Sequence, residues 1–209
     1  MEAHGPTPSR RTLFRSGAYL GAAALGLATT ASAALTAPAT ARADEGRRAA
    51  GPPPTHWIPA STSNYTVSSR PTAYRIDFVV IHVTQETFQN ARKIFQDPAK
   101  KVSAHYLVAS ADGYIGQFVR DKDIAWHAGN WDYNTRSIGI EHEGWVDKPA
   151  YFTEAMYRAS AALTASICDR YGVPKNRGRI IAHSEVPGAT HTDPGRYWDW
   201  DRYIALVNG

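Results

Sequence analysis

The chain has 209 residues, with 23 Lys+Arg against 19 Asp+Glu, and its single cysteine, Cys168, excludes an internal disulfide. The formal net charge of +4 would suggest a nucleic-acid partner, but residues 1–43 hold four arginines and one glutamate, leaving 19 basic against 18 acidic residues after them. With the excess charge confined to that leader, no nucleic-acid partner is expected, and the roughly 165 remaining residues suit one domain with its own core.

Arg10 and Arg11 stand in Ser9-Arg-Arg-Thr-Leu-Phe-Arg15, and an Ala/Gly/Leu stretch follows from Gly17. Small-residue cleavage motifs then appear at Ala31-Ser-Ala33 and Ala41-Arg-Ala43. A basic head, a mild apolar middle and an A-x-A end predict an export signal over residues 1–43, and the paired arginines favour the twin-arginine route. A membrane span needs about 20 strongly apolar residues, which this Ala/Gly/Thr-rich run does not supply. The expected destination is outside the membrane or in the cell wall, with no span in the mature chain, which is expected to act as a monomer.

Residues 44–73 are charged and then Pro-rich (Gly51-Pro-Pro-Pro54), which predicts a linker or N-terminal extension, with Trp57, Ile58 and Tyr65 as candidates to pack back on a domain spanning 74–209. Phe78-Val-Val-Ile81, ending at His82, reads as a buried central strand. Thr84 to Gln96 has helical spacing and stops at Asp97-Pro98. Ser103–Ser110 and Tyr114–Val119, joined by Ala111-Asp-Gly113, predict a hairpin. Ser137–Glu143 alternates Ile138, Ile140 and His142 against Gly139, Glu141 and Glu143, as a strand does. Thr153–Tyr171 is the longest helix, capped by Thr153 and stopped at Gly172-Val-Pro174. A short strand at Arg179–Ala182 and a closing helix at Tyr197–Val207 complete an α/β single domain whose central mixed sheet is flanked by helices. Cys168 falls in an apolar helical stretch and reads as a buried structural thiol.

Seven histidines remain after the leader, several of them at strand ends or in loops. A catalytic zinc site takes three protein ligands from imidazoles and carboxylates and keeps one position open. His82 and His183 end strands, and Asp193 follows His183 by ten residues, before the turn at Pro194 and Gly195. By themselves these residues leave the ordinary alternatives open, since a lone histidine is more often a satisfied polar group and an Asp before Pro an ordinary turn. His142-Glu143 begins an H-E-x-x-H pattern, but Val146 occupies the place of the second histidine, so that match is spurious. Trp126, Trp131, Tyr133 and Trp145 lie in or near loops between the segments that carry His82 and His183. They suit either packing on sugar rings and peptide stems or capping a core.

Five blocks in fixed order carry a family resemblance: Val79-Val-Ile-His82; Val102-Ser-Ala-His-Tyr106 with Asp112-Gly113; Ala125-Trp-His-Ala-Gly129; Ser137-Ile-Gly-Ile-Glu141-His-Glu-Gly144; and Ala182-His183 through Thr192-Asp-Pro-Gly195 and Trp198-Asp-Trp200. The chain resembles the zinc-dependent N-acetylmuramoyl-L-alanine amidases of the amidase/peptidoglycan recognition protein superfamily. The resemblance implies one Zn2+ in a surface cleft, held by His82, His183 and Asp193, with Glu141 activating the attacking water. It implies cleavage of peptidoglycan or muropeptides between the muramic lactyl group and L-alanine. Where many relatives carry a Lys that stabilises the oxyanion, this chain has His191, which can do the same electrostatic work while charged and loses that charge as pH rises; an alternative role for His191 is metal ligation. Tyr106 matches a position where some relatives have a tyrosine acting from the far side of the zinc, or else only shapes the cleft. His105, Trp126 and His127 are expected to line the cleft and contact substrate, or to support the ligands, and His142 to face the core. Two rival functions share these residues: a non-catalytic peptidoglycan receptor of the same fold, and a zinc peptidase acting within the stem peptide.

Overall fold

The computed structural model describes residues 51–209, so the expected leader lies outside the described residues. A six-stranded mixed sheet runs in the order β1-β5-β4-β7-β3-β8. Its strands are β1 (His56–Trp57), β3 (Phe78–Val83), β4 (Tyr106–Val108), β5 (Ile115–Gln117), β7 (Ser137–His142) and β8 (Ile180–Ala182). Only the β4–β5 hairpin is antiparallel; β7, β3 and β8 form a parallel centre. β2 (Tyr65–Thr66) and β6 (Ile124–Ala125) form a separate antiparallel pair.

The sheet is covered on both faces because its central strands alternate two apolar sets. Ile81, Ile138 and Ile140 pack with Met156, Tyr157 and Ile167 of α3 (Glu154–Tyr171), and with Tyr203 of α4 (Trp200–Asn208). On the other face Leu107 and Phe118 pack against Phe88, Ala91 and Phe95 of α1 (Phe88–Gln96). Thr153 caps α3 by accepting from the Met156 amide, and Gly172 ends it at φ +67°, a left-handed turn that glycine adopts without a Cβ clash. Among the described residues no helix is long and apolar enough to cross a membrane.

Three local differences from the sequence reading have physical causes. α1 starts at Phe88 and not near Thr84, because the Thr84 hydroxyl closes a turn onto Glu86 and Thr87 becomes the cap. α2 (Trp131–Arg136) is a single short helix capped by Asn130, too brief to show a period. Within the stretch read as an extension, β1 pairs with β5 and β2 with β6, while Ile58 and Tyr65 pack on the α1 cluster. Trp57 stays 43% exposed beneath the Arg120 guanidinium.

Candidate metal centre

Three parallel strands deliver the site. His82 is the penultimate residue of β3, Glu141 is its register partner on β7, and His183 follows β8 directly. Residues paired across a parallel sheet point to the same face, so His82 and Glu141 share the face opposite the α3 core. Asp193 arrives by a loop whose ends are tied where the Ser184 amide donates to the Asp193 carbonyl at 3.1 Å.

His82 Nδ1 lies 3.2 Å from Asp193 Oδ2, and His183 Nδ1 lies 3.0 Å from Oδ1. One donor atom from each of the three residues falls within 4.8 Å of the others, and all three residues are buried. Atoms bound at about 2.1 Å around a tetrahedral zinc stand about 3.4 Å apart, so this cluster has the spacing and the N/N/O donor set that zinc takes. Burial lowers the pKa of the His82 ring.

Glu141 lines the same cleft, of about 570 Å³, together with His82, His127, His183, His191 and Asp193. Its Oε2 is buried with no hydrogen-bond partner, and burial first, then Asp193, raises its pKa well above the usual carboxylate range. A half-buried carboxylate with one orphaned oxygen beside a three-donor cluster is the arrangement that a cation and a proton-carrying water would complete. Apolar walls come from α1 through Ala91, Ile94 and Phe95, and from Val102 and Val146.

The other expected site residues divide. His191 stands at the rim, its side chain 68% exposed, with Nδ1 3.9 Å from Asp193 Oδ1 and its ring beside that of His183. His127 is buried behind His82: its Nδ1 is 2.9 Å from His82 Nε2 and its Nε2 is 3.1 Å from Ser137 Oγ. Trp126 borders an adjoining depression with Lys101, Gly129 and His191, while its indole N–H donates to Thr66 Oγ1. His105 is not a cleft residue. It is fully buried, accepts from the Gly139 amide at Nδ1 and packs its Nε2 against Arg70 and the Asp123 carbonyl.

Tyr106 is also displaced from its expected role. It alternates with His105 and Leu107 on β4, so its ring enters the α3 face, where its hydroxyl donates to Asp121 Oδ1 at 2.6 Å. Burial, then Asp121, pushes its pKa upward, which removes it from proton transfer near neutrality. His142 faces the core as expected, donating from Nδ1 to the His82 carbonyl and taking a bond from Ser160 at Nε2. Trp131 is 54% exposed, Tyr133 stacks on Phe78, and Trp145 packs on Tyr151 beneath the Lys148 ammonium.

Sequence reasoning missed Arg70, Asn134, Ser137 and Gly139. Arg70 had no local signal. Ser137 and Gly139 lay inside a block that read simply as a strand, although a serine and a glycine opposite a histidine-bearing loop are small residues that leave room for a ring.

Comparison with known proteins agrees with this geometry. Residues 68–196 match the sequence model of a family described as N-acetylmuramoyl-L-alanine amidase. The chain is 39% identical over 170 residues to N-acetylmuramoyl-L-alanine amidase A of Achromobacter lyticus, an alignment covering 73% of this chain and 93% of that protein. A selenomethionine structure of AmpD superposes with a TM-score of 0.60 at 30% identity, covering 73% of this chain and 94% of that one. The amidase AmiD from E. coli, solved with the substrate anhydro-N-acetylmuramic acid-L-Ala-D-gamma-Glu-L-Lys, superposes with a TM-score of 0.54 at 30% identity, covering 63% of this chain and 57% of that one.

Proposed function

This chain belongs to the N-acetylmuramoyl-L-alanine amidase family, and from that premise we propose that it is an exported, zinc-dependent hydrolase cutting the amide between the lactyl group of N-acetylmuramic acid and the L-alanine of the stem peptide. The observation that carries the reading is the buried His82–His183–Asp193 cluster with the unpartnered Glu141 carboxylate in the same cleft.

His82, His183 and Asp193 hold the ion. Bound there, zinc supplies a Lewis acid that brings the pKa of water to about 7 and polarises a carbonyl. Glu141 takes a proton from the attacking water as its oxygen bonds to the lactyl carbonyl carbon, and returns a proton to the alanine nitrogen as the C–N bond breaks. Its raised pKa matches this shuttle better than an ordinary carboxylate would. His191, at the rim, donates to the oxygen that gains charge. The apolar α1 wall and the Trp126 depression flank the reacting bond on two sides and bind the sugar and the stem. The paired arginines of the leader direct the chain across the membrane by the twin-arginine route, which places the substrate in the wall.

The deciding experiment is a digest of purified muropeptides read by mass spectrometry. The expected products are peptide-free glycan and an intact stem peptide with L-alanine at its amino terminus, lost with a chelator and restored by zinc. Glu141→Gln is expected to keep the metal while losing about 10²–10⁴-fold in turnover. Cuts inside the stem would establish a peptidase instead, and wall binding without any release would establish a receptor.

A further inference from the structure

We infer that His127 is a positioning residue for the metal: with Ser137 and the Tyr133 carbonyl it forms a hydrogen-bonded chain that dictates which nitrogen of His82 faces the ion. The inference rests on the zinc reading above and adds to it the proton placement along the chain, which that reading leaves open.

The direction of every bond in the chain follows from its last member. A main-chain carbonyl has no proton, so at 2.5 Å the Tyr133 oxygen must accept the single proton of the Ser137 hydroxyl. With that proton committed, Ser137 Oγ can only accept from the imidazole 3.1 Å away, which places a proton on His127 Nε2. A neutral imidazole carries one proton, so with that proton at Nε2 the ring's Nδ1 holds a bare lone pair. That lone pair accepts from His82 Nε2 at 2.9 Å. A histidine that binds a metal does so as the neutral ring, and with its proton at Nε2 His82 offers the lone pair of Nδ1, the atom 3.2 Å from Asp193 Oδ2. Two lone-pair-bearing atoms cannot bond each other, and a cation between them satisfies both. The relay therefore presents a ligand nitrogen ready to coordinate.

Two further features hold His127 in this role. Asn134 Oδ1 accepts from the amides of both His127 and Ala128, at 3.1 and 2.8 Å, pinning the loop. Beneath the ring lies Gly139, where an added Cβ would stand 2.5 Å from His127 Cγ. The glycine of β7 thus makes the floor on which the imidazole rests. Outer partners of this kind orient ligand histidines and raise their basicity.

The test uses the exported chain stripped of metal. Zinc affinity is measured by competition with a chromophoric chelator for the wild type, His127→Phe, His127→Gln and Ser137→Ala, and the His82 tautomer is read from imidazole 15N shifts. Phenylalanine keeps a ring but offers no acceptor, and is expected to weaken zinc binding about 10- to 100-fold. Glutamine, whose amide oxygen can accept from His82 Nε2–H, is expected to restore most of that loss. In the wild type His82 is expected as the Nε2–H tautomer, becoming mixed in His127→Phe and Ser137→Ala. An unchanged affinity and tautomer in His127→Phe would overturn the inference, as would a wild-type His82 protonated at Nδ1. If His127→Phe fails to fold, Ser137→Ala and the wild-type spectrum decide it alone. A wild type showing the Nε2–H tautomer yet binding no zinc would sink the zinc reading and leave the relay standing.

Discussion

Replacing Arg70 with methionine is expected to destabilise the protein by about 3–5 kcal/mol, the cost of breaking a buried charged network. Arg70 is 5% exposed and lies in the segment before β3. Its Nη1 donates to the carbonyls of Asn134, Thr135 and Ser137 at 3.3, 3.0 and 2.7 Å, and its Nη2 to those of Asp121 and Asp123 at 2.8 and 2.6 Å. Taken singly, each charge-assisted bond is worth about 1.5–3 kcal/mol. Their sum would consume a whole domain's stability of about 5–15 kcal/mol, so they are not additive, and the network figure is the realistic scale. Burial lowers the guanidinium pKa to about 10, which leaves it charged at neutral pH. Methionine keeps much of the aliphatic stem, so the loss reports the donors. Urea unfolding followed by tryptophan fluorescence, in chelator, reads the effect: with a slope of about 2 kcal/mol per molar, the midpoint should fall by about 1.5–2.5 M. A shift under about 0.5 M would refute the argument that these carbonyls depend on Arg70. A chain beginning at Tyr74 loses the same donors along with β1 and β2, and should be less stable still.

In the metal-free protein, Glu141→Gln should be more stable than the wild type, by a margin that grows with pH. The folded-state pKa of Glu141 is raised by burial and then by Asp193, so its contribution is fully present below the unfolded value and is lost as pH rises through the folded one. Melting curves in chelator at pH 5 and pH 8 check this, and a pH-independent difference would count against a buried Oε2 without a partner. His191→Ala should keep zinc and lose about 10²-fold in turnover, the scale of one oxyanion donor; metal analysis showing loss of the ion would make His191 a ligand instead. Zinc at about 100 times its Kd should stabilise the wild type by about 2.7 kcal/mol and leave Asp193→Ala unmoved, as calorimetry would show.

The parts of the fold with a long period were legible. β3 announced itself as an apolar run, β7 through its alternation, and α3 through its cap and its stop. β1, β2 and β6 are two residues each, too short for any alternation to register. Strand ends and a ten-residue step singled out His82, His183 and Asp193, but ordinary roles stayed open for them until the family resemblance implied a ligand set. Tyr106 and His105 were misplaced for a different reason. Alternation along β4 puts them on opposite faces, but it does not say which face carries the cleft, and the partner that buries His105 lies 35 residues away at Arg70. His127 lines the cleft and also stands behind His82, the two roles expected of it, but its bond to His82 depends on the packing of its loop over Gly139, which the pattern Ala-Trp-His-Ala-Gly does not show.

The arrangement explains how residues 59 and 101 positions apart from one histidine meet without a flexible search. Parallel strands lie about 4.8 Å apart, and β7, β3 and β8 are neighbours in that order. Three groups at their carboxyl ends therefore fall within about 10 Å of one another once the register is set. Register is set by the other face, where Ile81 and Ile140 are held against α3; a one-residue slip would carry His82 and Glu141 into that core. The same alternation that encodes the hydrophobic core thus also encodes the candidate metal site, on the odd and even positions of the same two strands. Ligands in open α/β sheets gather at the carboxyl ends of strands for this geometric reason. Only Asp193 needs a loop, and the Ser184 amide bonded to its carbonyl ties that loop back to the turn that carries His183.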